Sequence, residues 1–314
     1  MLSLIVPIYK NEANLKSLLI ALAEIGHNCS SRLEVVFVVD ASPDHCYDRL
    51  LACLGSCPFA SRLLVLSRNF GAFAAIRAGL LAGRGTVFAV MAADLQEPPE
   101  LVVDMEAILR QGDVDVVVAE RVGRQDPFIS RLLSRIFWGM YRRFILRDLP
   151  PGGVDIFACN KVFRDHLLKL GEGHSSLVAQ IFWLGFRRRT IPYVRRARQE
   201  GVSAWTLQKK IHYLMDSVFS FTNLPIRALS WAGGLGAMTS ATLAFVVAIC
   251  RLLNMIEVPG YTAIIIAISF FGALNLLGLG IVGSYAWRTY ENTKARPLHI
   301  VMHQVDFSGE TANS

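Results

Sequence analysis

The chain has 314 residues, enough for one large domain or two modest ones. Hydrophobic residues make up 53% of it, too many for a purely soluble protein, and a net charge of +7 with clustered basic residues indicates anionic partners. The six cysteines form no CxxC pair and no Cys/His zinc pattern, so we expect reduced thiols and a cytosolic catalytic part. Because a strand-like run begins at Leu2, no signal peptide is expected.

The first part of the chain alternates short apolar strands with amphipathic helices. Strands are predicted over Leu2 to Ile8, Leu33 to Val39, Arg62 to Leu66, Val87 to Met91 and Val114 to Ala119. Helices are predicted over Asn14 to Ile25, Ala74 to Ala82 and Glu100 to Gln111. Such alternation is typical of βαβ units, so the sequence predicts an α/β fold with a mainly parallel sheet and flanking helices.

Polar side chains follow these strands at the point where each strand ends. They are Asn11 and Glu12, Asp40 and Ser42, Asn69, and then Asp94 and Gln96. In a doubly wound sheet these ends converge on one ligand-binding crevice. No GxGxxG motif follows the first strand and no Walker-type phosphate loop occurs, so a dinucleotide or P-loop site is not expected. A crevice of acids and amides suits a nucleotide-sugar held by ribose and metal contacts.

The stretch from Val90 to Glu100 is the centre of this pattern. A buried apolar run ends abruptly in Asp94, Gln96 lies two residues further on, and a Pro-Pro pair then prevents the strand from continuing. Oxygen ligands at such a position suit Mg²⁺ or Mn²⁺ that carries a phosphorylated substrate. The alternative is an ordinary strand-to-helix turn in which Asp94 only caps the next helix.

An arginine-rich segment follows the fifth strand. Between Arg121 and Arg147 there are seven arginines and one acid, Asp126. A helix over 129–144 would place Arg131, Arg135 and Arg142 on one face, opposite an apolar face. That arrangement suits phosphate binding by guanidinium groups, and the alternative is a solvated basic face over a core face.

Two further features precede the last third of the chain. Gly152 and Gly153 form a loop that delivers Asp155 at the start of a short strand. The segment from Arg187 to Lys210 carries six arginines and two lysines against one glutamate, and it leads into a basic, aromatic-bearing amphipathic pattern. Such a pattern is typical of a helix in a membrane interface. Nucleic acid is not expected as a partner, because long apolar segments follow.

Two uncharged segments are long enough to cross a bilayer. Ala228 to Cys250 has 23 residues and Tyr261 to Trp287 has 27, against the roughly 20 required. The flanking basic residues place both outer ends in the cytoplasm. Buried core helices are the alternative. We therefore expect a catalytic domain over 1–200, a juxtamembrane amphipathic helix over 201–227, two transmembrane helices over 228–287 and a cytoplasmic tail over 288–314, polar after Val301.

Taken together, these motifs resemble the family 2, GT-A-fold polyprenyl-phosphate glycosyltransferases, which include bactoprenol glucosyltransferases and, more distantly, dolichyl-phosphate mannose synthases. The resemblance covers nearly the whole chain. It rests on Val6-Pro7-Ile8-Tyr9-Lys10-Asn11-Glu12, Asp40-Ala41-Ser42-Pro43-Asp44, Ser67-Arg68-Asn69-Phe70-Gly71 and Asp94-Leu95-Gln96-Glu97-Pro98-Pro99-Glu100. It also includes Arg195-x-x-Arg198-x-x-Gly201-x-Ser203 and Tyr285-x-x-Arg288-x-Tyr290, followed by Lys294-x-Arg296-Pro297.

The resemblance implies a GT-A (Rossmann-like) fold and transfer of a hexose, with glucose expected, from a UDP-sugar to polyprenyl phosphate at the cytoplasmic face of the inner membrane. It implies that the nucleotide-sugar lies against Pro7, Tyr9, Glu12, Asp40, Ser42 and Asn69, with Mg²⁺ or Mn²⁺ at Asp94 and Gln96. The candidates for binding the acceptor phosphate are Arg121, Arg131, Arg198 and Ser203, and Asp155 is expected to orient the acceptor or the sugar. A homo-oligomer is left open.

The sequence departs from the family pattern at the expected metal site. Ala92 stands where the family usually has an aspartate, Ala41 replaces a glycine, and Ala204 stands where a lysine is common. A non-catalytic membrane protein that binds nucleotide-sugar or lipid phosphate is therefore the rival interpretation. A processive polysaccharide synthase is not expected, because the chain lacks a QxxRW motif and further membrane spans.

Overall fold

A computed structural model of the chain describes residues 1–122, 139, 142, 150, 153–172, 175–196, 215–222, 224–253 and 261–309. The chain divides into two compact units. The first comprises Met1–Tyr213 together with Arg296–Ser314, and the second is Leu214–Ala295.

An eight-stranded sheet forms the centre of the first unit. In chain order its strands are β1 (Leu2–Ile8), β2 (Leu33–Val39), β3 (Ala60–Leu66), β4 (Val87–Val90), β5 (Val116–Arg121), β6 (Val154–Asn160), β7 (Arg188–Tyr193) and β8 (Val301–Phe307). Across the sheet the order is β7-β5-β6-β4-β1-β2-β3-β8. The pairs β1–β2, β1–β4, β2–β3 and β5–β7 are parallel, so the predicted mainly parallel α/β sheet is confirmed.

The α-helices in the described part of this unit are α1 (Leu15–Asn28), α2 (Cys46–Cys53), α3 (Ala72–Ala82), α4 (Glu100–Arg110), α5 (Lys161–Lys169) and α6 (Leu177–Trp183). The first, third and fourth of them begin and end close to the predicted positions, and the other three were not predicted. The small residues of α3 have a packing reason, because a Cβ at Gly79 would lie 2.4 Å from the side chain of Ile5 in β1. Close approach of α3 to the sheet therefore requires glycine at this position.

The strand β6 is antiparallel to both neighbours, β4 and β5. Its insertion reverses the local direction, so the amino end of β6 lies beside the carboxyl ends of β4 and β5. Asp155, near the start of β6, therefore lies on the side of the sheet at which β1, β2 and β4 end. The topology places Arg121 and Asp155 on the same side of the sheet as the predicted residues that follow β1, β2 and β4.

The expectation of a polar tail after Val301 is wrong. Residues Val301–Phe307 form β8, which pairs antiparallel with β3 from Ser61 opposite Phe307 to Leu66 opposite Val301. Four of the seven residues of this strand are apolar (Val301, Met302, Val305 and Phe307), and its side chains are mostly exposed because it lies at the edge of the sheet.

Buried charges attach β8 to the rest of the sheet. Arg62 on β3 donates to the carboxylate of Asp306 at 3.1 Å and to the carbonyl oxygen of Ala82 at 2.7 Å, and its Nε lies 3.3 Å from Glu34. The side chains of Arg62 and Glu34 are 8% and 5% exposed. Ser3 and the backbone N–H of Arg84 also donate to Glu34. Arg62 therefore has an acceptor on each side, one of which is supplied by β8.

The second unit contains two long helices, α7 (Leu224–Leu252) and α8 (Tyr261–Thr293), which contain the two predicted membrane segments. Among the described residues, the stretch Phe270–Thr293 is the one found long and apolar enough to cross a membrane. Within this unit Arg288 forms an ion pair with Asp216 at 2.8 Å and lies over the ring of Phe219. These contacts hold the helical residues 215–221 against the carboxyl end of α8.

Asp306→Ala should lower the free energy of unfolding of the first unit by about 1 to 2 kcal/mol, because it removes a charge-assisted partner from the nearly buried Arg62. Urea unfolding of the detergent-solubilised chain measures the loss. The control is Asp48→Ala, which removes an exposed partner of His45 and should change the stability by less than about 0.5 kcal/mol. Equal effects of the two substitutions would show that Glu34 and Ala82 alone satisfy Arg62.

Candidate functional site

Three loops meet at the carboxyl ends of β1, β2 and β4, and each contains a non-glycine residue in the left-handed conformation. These residues are Lys10 (φ 56°), Ala41 (φ 46°) and Leu95 (φ 52°). Such conformations cost of order 1 kcal/mol each and concentrate at ligand-binding sites. The predicted crevice is therefore also where the described part of the sheet stores backbone strain.

The loops after β1 and β2 are held together by hydrogen bonds. Ser42 accepts from the backbone N–H of Lys10 at 2.7 Å and donates to Asp44 at 2.6 Å. Glu12 donates its backbone N–H to Asp44 and accepts from the backbone N–H of His45 with its carboxylate. Partial burial opposes ionisation of Asp44, but hydrogen bonds from Ser42 and its other donors lower its pKa. The predicted nucleotide residues Glu12 and Ser42 thus lie in one cross-linked pair of loops.

Asp40 joins the loop after β2 to the one after β3. Its buried carboxylate accepts backbone N–H groups of Phe70 and Gly71, both at 2.8 Å, and its carbonyl oxygen accepts from the side chain of Asn69. Burial raises the pKa of Asp40, and the two backbone donors oppose that effect. Asp40 and Asn69 are therefore brought together as predicted, with both carboxylate oxygens of Asp40 accepting backbone hydrogen bonds.

A second group of residues surrounds Asp155. Arg121 at the end of β5 binds its carboxylate through Nε at 3.0 Å and also through Nη2, and the hydroxyl of Tyr193 at the end of β7 donates to the same carboxylate. Burial opposes ionisation of Asp155, but the Arg121 hydrogen bonds and charge, with Tyr193, lower its pKa overall. Burial and the charge of Asp155 raise the pKa of the Tyr193 hydroxyl. Asp155 is therefore an ionised acceptor of two donors.

The loop after β4 contains Asp94, Gln96 and a residue that the sequence interpretation did not assign, Glu97. Glu97 is 1% exposed, and its Oε1 lies 3.9 Å from Nε of Arg195. Burial, followed by the negative charge of Asp155, raises the pKa of Glu97 to about 7, while Arg195 opposes the shift. A glutamate that follows an acid and an amide in sequence gives no signal of burial, and its charged neighbour Arg195 is distant in sequence.

The two predicted metal ligands differ in their surroundings. Asp94 lies half-buried in the loop, with one carboxylate oxygen 3.4 Å from the backbone nitrogen of Gln96. The side-chain oxygen of Gln96 accepts a hydrogen bond from Nη2 of Arg195 at 2.6 Å. Within the described residues no three His, Cys, Asp or Glu side chains are grouped to hold a metal. The donor set fits an ion that Asp94 shares with water and substrate oxygens, which is how Mg²⁺ is commonly bound.

The acceptor-phosphate candidates are only partly placed. Arg121 lies at the site but is paired with Asp155. Arg131, Arg198 and Ser203 fall outside the described residues, as does most of the predicted amphipathic helix. Pro7 and Tyr9 lie at the end of β1 and in the loop that follows it, as predicted. Tyr193 and Arg195 lie within the basic segment Arg187 to Lys210, and their contacts with Asp155 and Gln96 were not predicted.

Comparison with known proteins supports a single family. Residues 3–171 match the family described as "Glycosyl transferase family 2". The chain is 30% identical over 321 residues to an undecaprenyl-phosphate 4-deoxy-4-formamido-L-arabinose transferase of Serratia proteamaculans, covering 99% of this chain and 95% of that protein. It is 26% identical to a prophage bactoprenol glucosyl transferase homolog of Escherichia coli, covering 96% of this chain and 98% of that protein.

One solved structure with high coverage is a mannosyltransferase of Pyrobaculum calidifontis in complex with GDP-Man and Mn²⁺. It is 17% identical, covers 91% of this chain and 87% of that chain, and has a TM-score of 0.43. The family match and the mainly parallel sheet together confirm the GT-A α/β fold expected from the sequence.

Glu97→Gln should remove a pH dependence of stability. Because the folded-state pKa of Glu97 lies above its ordinary value of 4.5, folding takes up a proton between about pH 4.5 and pH 7. This contribution is fully present below pH 4.5 and is lost as the pH rises through 7, by on the order of 2 to 3 kcal/mol. Urea unfolding between pH 5 and pH 8 should show a shallower decline for the variant than for the unsubstituted chain.

The matched control is Glu100→Gln at the start of α4, three residues after Glu97, where the side chain is 70% exposed. It should leave the slope of stability against pH unchanged. If Glu97→Gln also leaves that slope unchanged, the carboxyl group of Glu97 does not bind its proton more tightly in the folded chain.

Proposed function

The chain belongs to glycosyl transferase family 2, and on that premise we propose that it transfers a hexose from a UDP-sugar to undecaprenyl phosphate. The acceptor class is supported by the similarity of 99% of the chain to an undecaprenyl-phosphate sugar transferase. That match extends beyond the α/β unit to the long helices, which a soluble sugar transferase would not need. Glucose as the sugar is supported by the similarity to a bactoprenol glucosyl transferase homolog.

We assign the donor to the crevice beside β1, β2 and β4. Glu12, Ser42 and Asp40, with Pro7, Tyr9 and Asn69 around them, bind the nucleoside. The hydrogen bonds among these loops prepare a rigid surface before the donor arrives, which reduces the ordering that binding requires. Asp94 lies where the diphosphate would follow.

Asp94 is the residue that would hold a Mg²⁺ or Mn²⁺ ion bound by the donor diphosphate. Such an ion would neutralise negative charge that develops on the departing UDP. The sequence also predicted Gln96 as a ligand, but its side-chain oxygen accepts a hydrogen bond from Arg195. The chain's own contribution is to fix Asp94 at the end of β4 by the strained turn at Leu95.

The acceptor requires alignment rather than a strong general base. A phosphate monoester has a second pKa near 6 and is largely dianionic at neutral pH. Its oxygen can attack the anomeric carbon directly, with the bond to the UDP oxygen breaking and the configuration inverting. We propose that Arg131, Arg198 and Ser203 bind this phosphate, and that Arg121 and Asp155 orient it as an ion pair with Tyr193.

The helical unit anchors the enzyme in the cytoplasmic membrane as a multi-pass protein. The 29 residues of α7 and the 33 of α8 extend about 43 and 50 Å, and each exceeds the roughly 30 Å hydrocarbon core. The basic residues that flank the two helices favour a topology in which the start of α7 and the end of α8 both lie on the cytoplasmic side, where the UDP-sugar is present. Self-association in the membrane is compatible with this topology.

The central test is turnover by the purified chain in phospholipid vesicles of defined composition. With radiolabelled UDP-glucose and undecaprenyl phosphate as substrates, the label should move into a sugar phosphate lipid that is extracted by organic solvent. Asp94→Asn should reduce its rate of formation at least tenfold, equivalent to about 1.4 kcal/mol of barrier. Binding of UDP-sugar without turnover would instead favour the non-catalytic alternative that Ala92 raised.

Other UDP-sugars assayed in parallel test the choice of sugar. If a different sugar is transferred, the acceptor assignment is retained and glucose is replaced. Full activity in excess chelator would contradict the assignment of an ion to Asp94. A lower ion concentration for half-maximal rate in Ala92→Asp would support an ion beside positions 92 and 94.

Arg131→Ala should raise the acceptor KM or lower kcat at least tenfold while the affinity for UDP-sugar stays the same, because a guanidinium binds phosphate through paired hydrogen bonds. Arg142→Ala, further along the same basic segment, is the matched control and should be mild. Small, equal losses at both positions that disappear at high salt would indicate nonspecific attraction to anionic headgroups, worth about 1 kcal/mol per residue.

A further inference from the structure

Two segments that flank the crevice are joined by contacts that do not involve a substrate. One is the loop after β4, residues 94–100, and the other is the segment 194–196 after β7. We propose that Gln96 is a positioning residue that fixes Arg195 and the start of the acceptor-binding segment, rather than a ligand of the ion. This inference rests on the proposed function for its consequence in catalysis.

Gln96 contacts the second segment through three groups. Its side-chain oxygen accepts from Nη2 of Arg195 at 2.6 Å, and its backbone oxygen accepts from the backbone N–H of Arg196 at 2.9 Å. Its side-chain nitrogen lies 3.5 Å from the carbonyl oxygen of Arg196. The amide oxygen thus faces the side chain of Arg195, and the amide nitrogen faces the backbone carbonyl of Arg196. These two contacts fix the orientation of the amide, and the shorter one is the hydrogen bond to Arg195.

The contact with Arg195 competes with metal binding. A Mg²⁺ ion would lie about 2.1 Å from a coordinating oxygen. With a guanidinium nitrogen 2.6 Å from the same oxygen, two positive charges would share one acceptor. Because guanidinium remains charged at any physiological pH, deprotonation cannot relieve that repulsion. The geometry therefore assigns this oxygen to Arg195 and leaves Asp94 as the chain's carboxylate for the ion.

Arg195 lies among the acids of both halves of the site. Its Nε is 3.9 Å from Glu97, and its charge acts on Asp155 as well as on Glu97. Its side chain is 32% exposed, so it borders the crevice. The next residues lead to Arg198 and Ser203, which we propose for the acceptor phosphate. Gln96 therefore links the donor-side loop to the point where the acceptor-binding segment begins.

A double-mutant cycle tests this link. Gln96→Ala and Arg195→Ala should each raise the KM for undecaprenyl phosphate about fivefold or more, and the double variant should be no worse than the poorer single variant, because both remove one interaction. The KM for UDP-sugar and the Mn²⁺ concentration for half-maximal rate should stay within about twofold. Gln96→Glu retains an acceptor for Arg195 and should recover most of the acceptor affinity.

Glu100→Ala is the matched control. It breaks the exposed Arg196–Glu100 contact, 3.4 Å across the same two segments, and should leave both KM values within about twofold. Additive losses in the cycle, or a shift in Mn²⁺ dependence for Gln96→Ala that Arg195→Ala does not share, would overturn the proposal. A lower Mn²⁺ concentration for half-maximal rate in Gln96→Glu would also overturn it, because a carboxylate at a ligand position binds the ion more tightly than an amide.

A second readout does not depend on activity. Limited trypsin digestion should cleave after Arg196 several-fold faster in Gln96→Ala than in the unsubstituted chain or in Glu100→Ala, with thermal unfolding compared in parallel. An unchanged cleavage rate would overturn the link even if the chain transfers sugar. Faster cleavage in a chain that transfers no sugar would retain the link and contradict the proposed function instead.

Discussion

The contact of Asp155 with Arg121 and Tyr193 is the interaction on which the side of the candidate site formed by β5, β6 and β7 depends. Asp155 belongs to β6, Arg121 to β5 and Tyr193 to β7. One carboxylate therefore joins three strands on the side of the sheet that faces the crevice. The contact exists because β6 runs antiparallel between β4 and β5, which brings its amino end beside the carboxyl ends of its neighbours. The side chain of Asp155 is 24% exposed and accepts from both donors. Removing either donor would leave one of the three strands without its contact to Asp155.

The C-terminal strand changes how the two units are related along the chain. After β7 the chain enters the helical unit and then returns as β8 to the opposite edge of the sheet, beside β3. A catalytic fragment that simply ends before the long helices would therefore lack β8 and expose the edge of β3. It would also leave Arg62 without Asp306. The side chains of 301–307 are mostly exposed, as expected of a strand that is paired on one side only.

Much of the fold was predictable because it is encoded locally. The apolar runs of β1 to β5 and the helical spacing of α1, α3 and α4 give their positions to within a few residues. The partners of Asp155, the burial of Glu97 and the pairing of β8 were not predictable, because each depends on contacts between residues tens to hundreds of positions apart. Arg121 shows the difference: its sequence context predicted a phosphate ligand, and only the antiparallel β6 reveals its pairing with Asp155.

The absence of a second carboxylate at Ala92 is consistent with the charges around it. Asp94, Glu97 and Asp155 already lie near one another, and the electrostatic effect of Asp155 and Asp94 contributes to the raised pKa of Glu97. Another aspartate at position 92 would add to that repulsion, while the two described arginines of the group, Arg121 and Arg195, are engaged by Asp155 and by Gln96. Under the proposed function the site accepts a diphosphate and a phosphate, and fewer fixed negative charges favour their binding because like charges in a poorly solvated crevice repel strongly. One carboxylate, with the substrate's own oxygens completing the shell of an ion, meets that constraint.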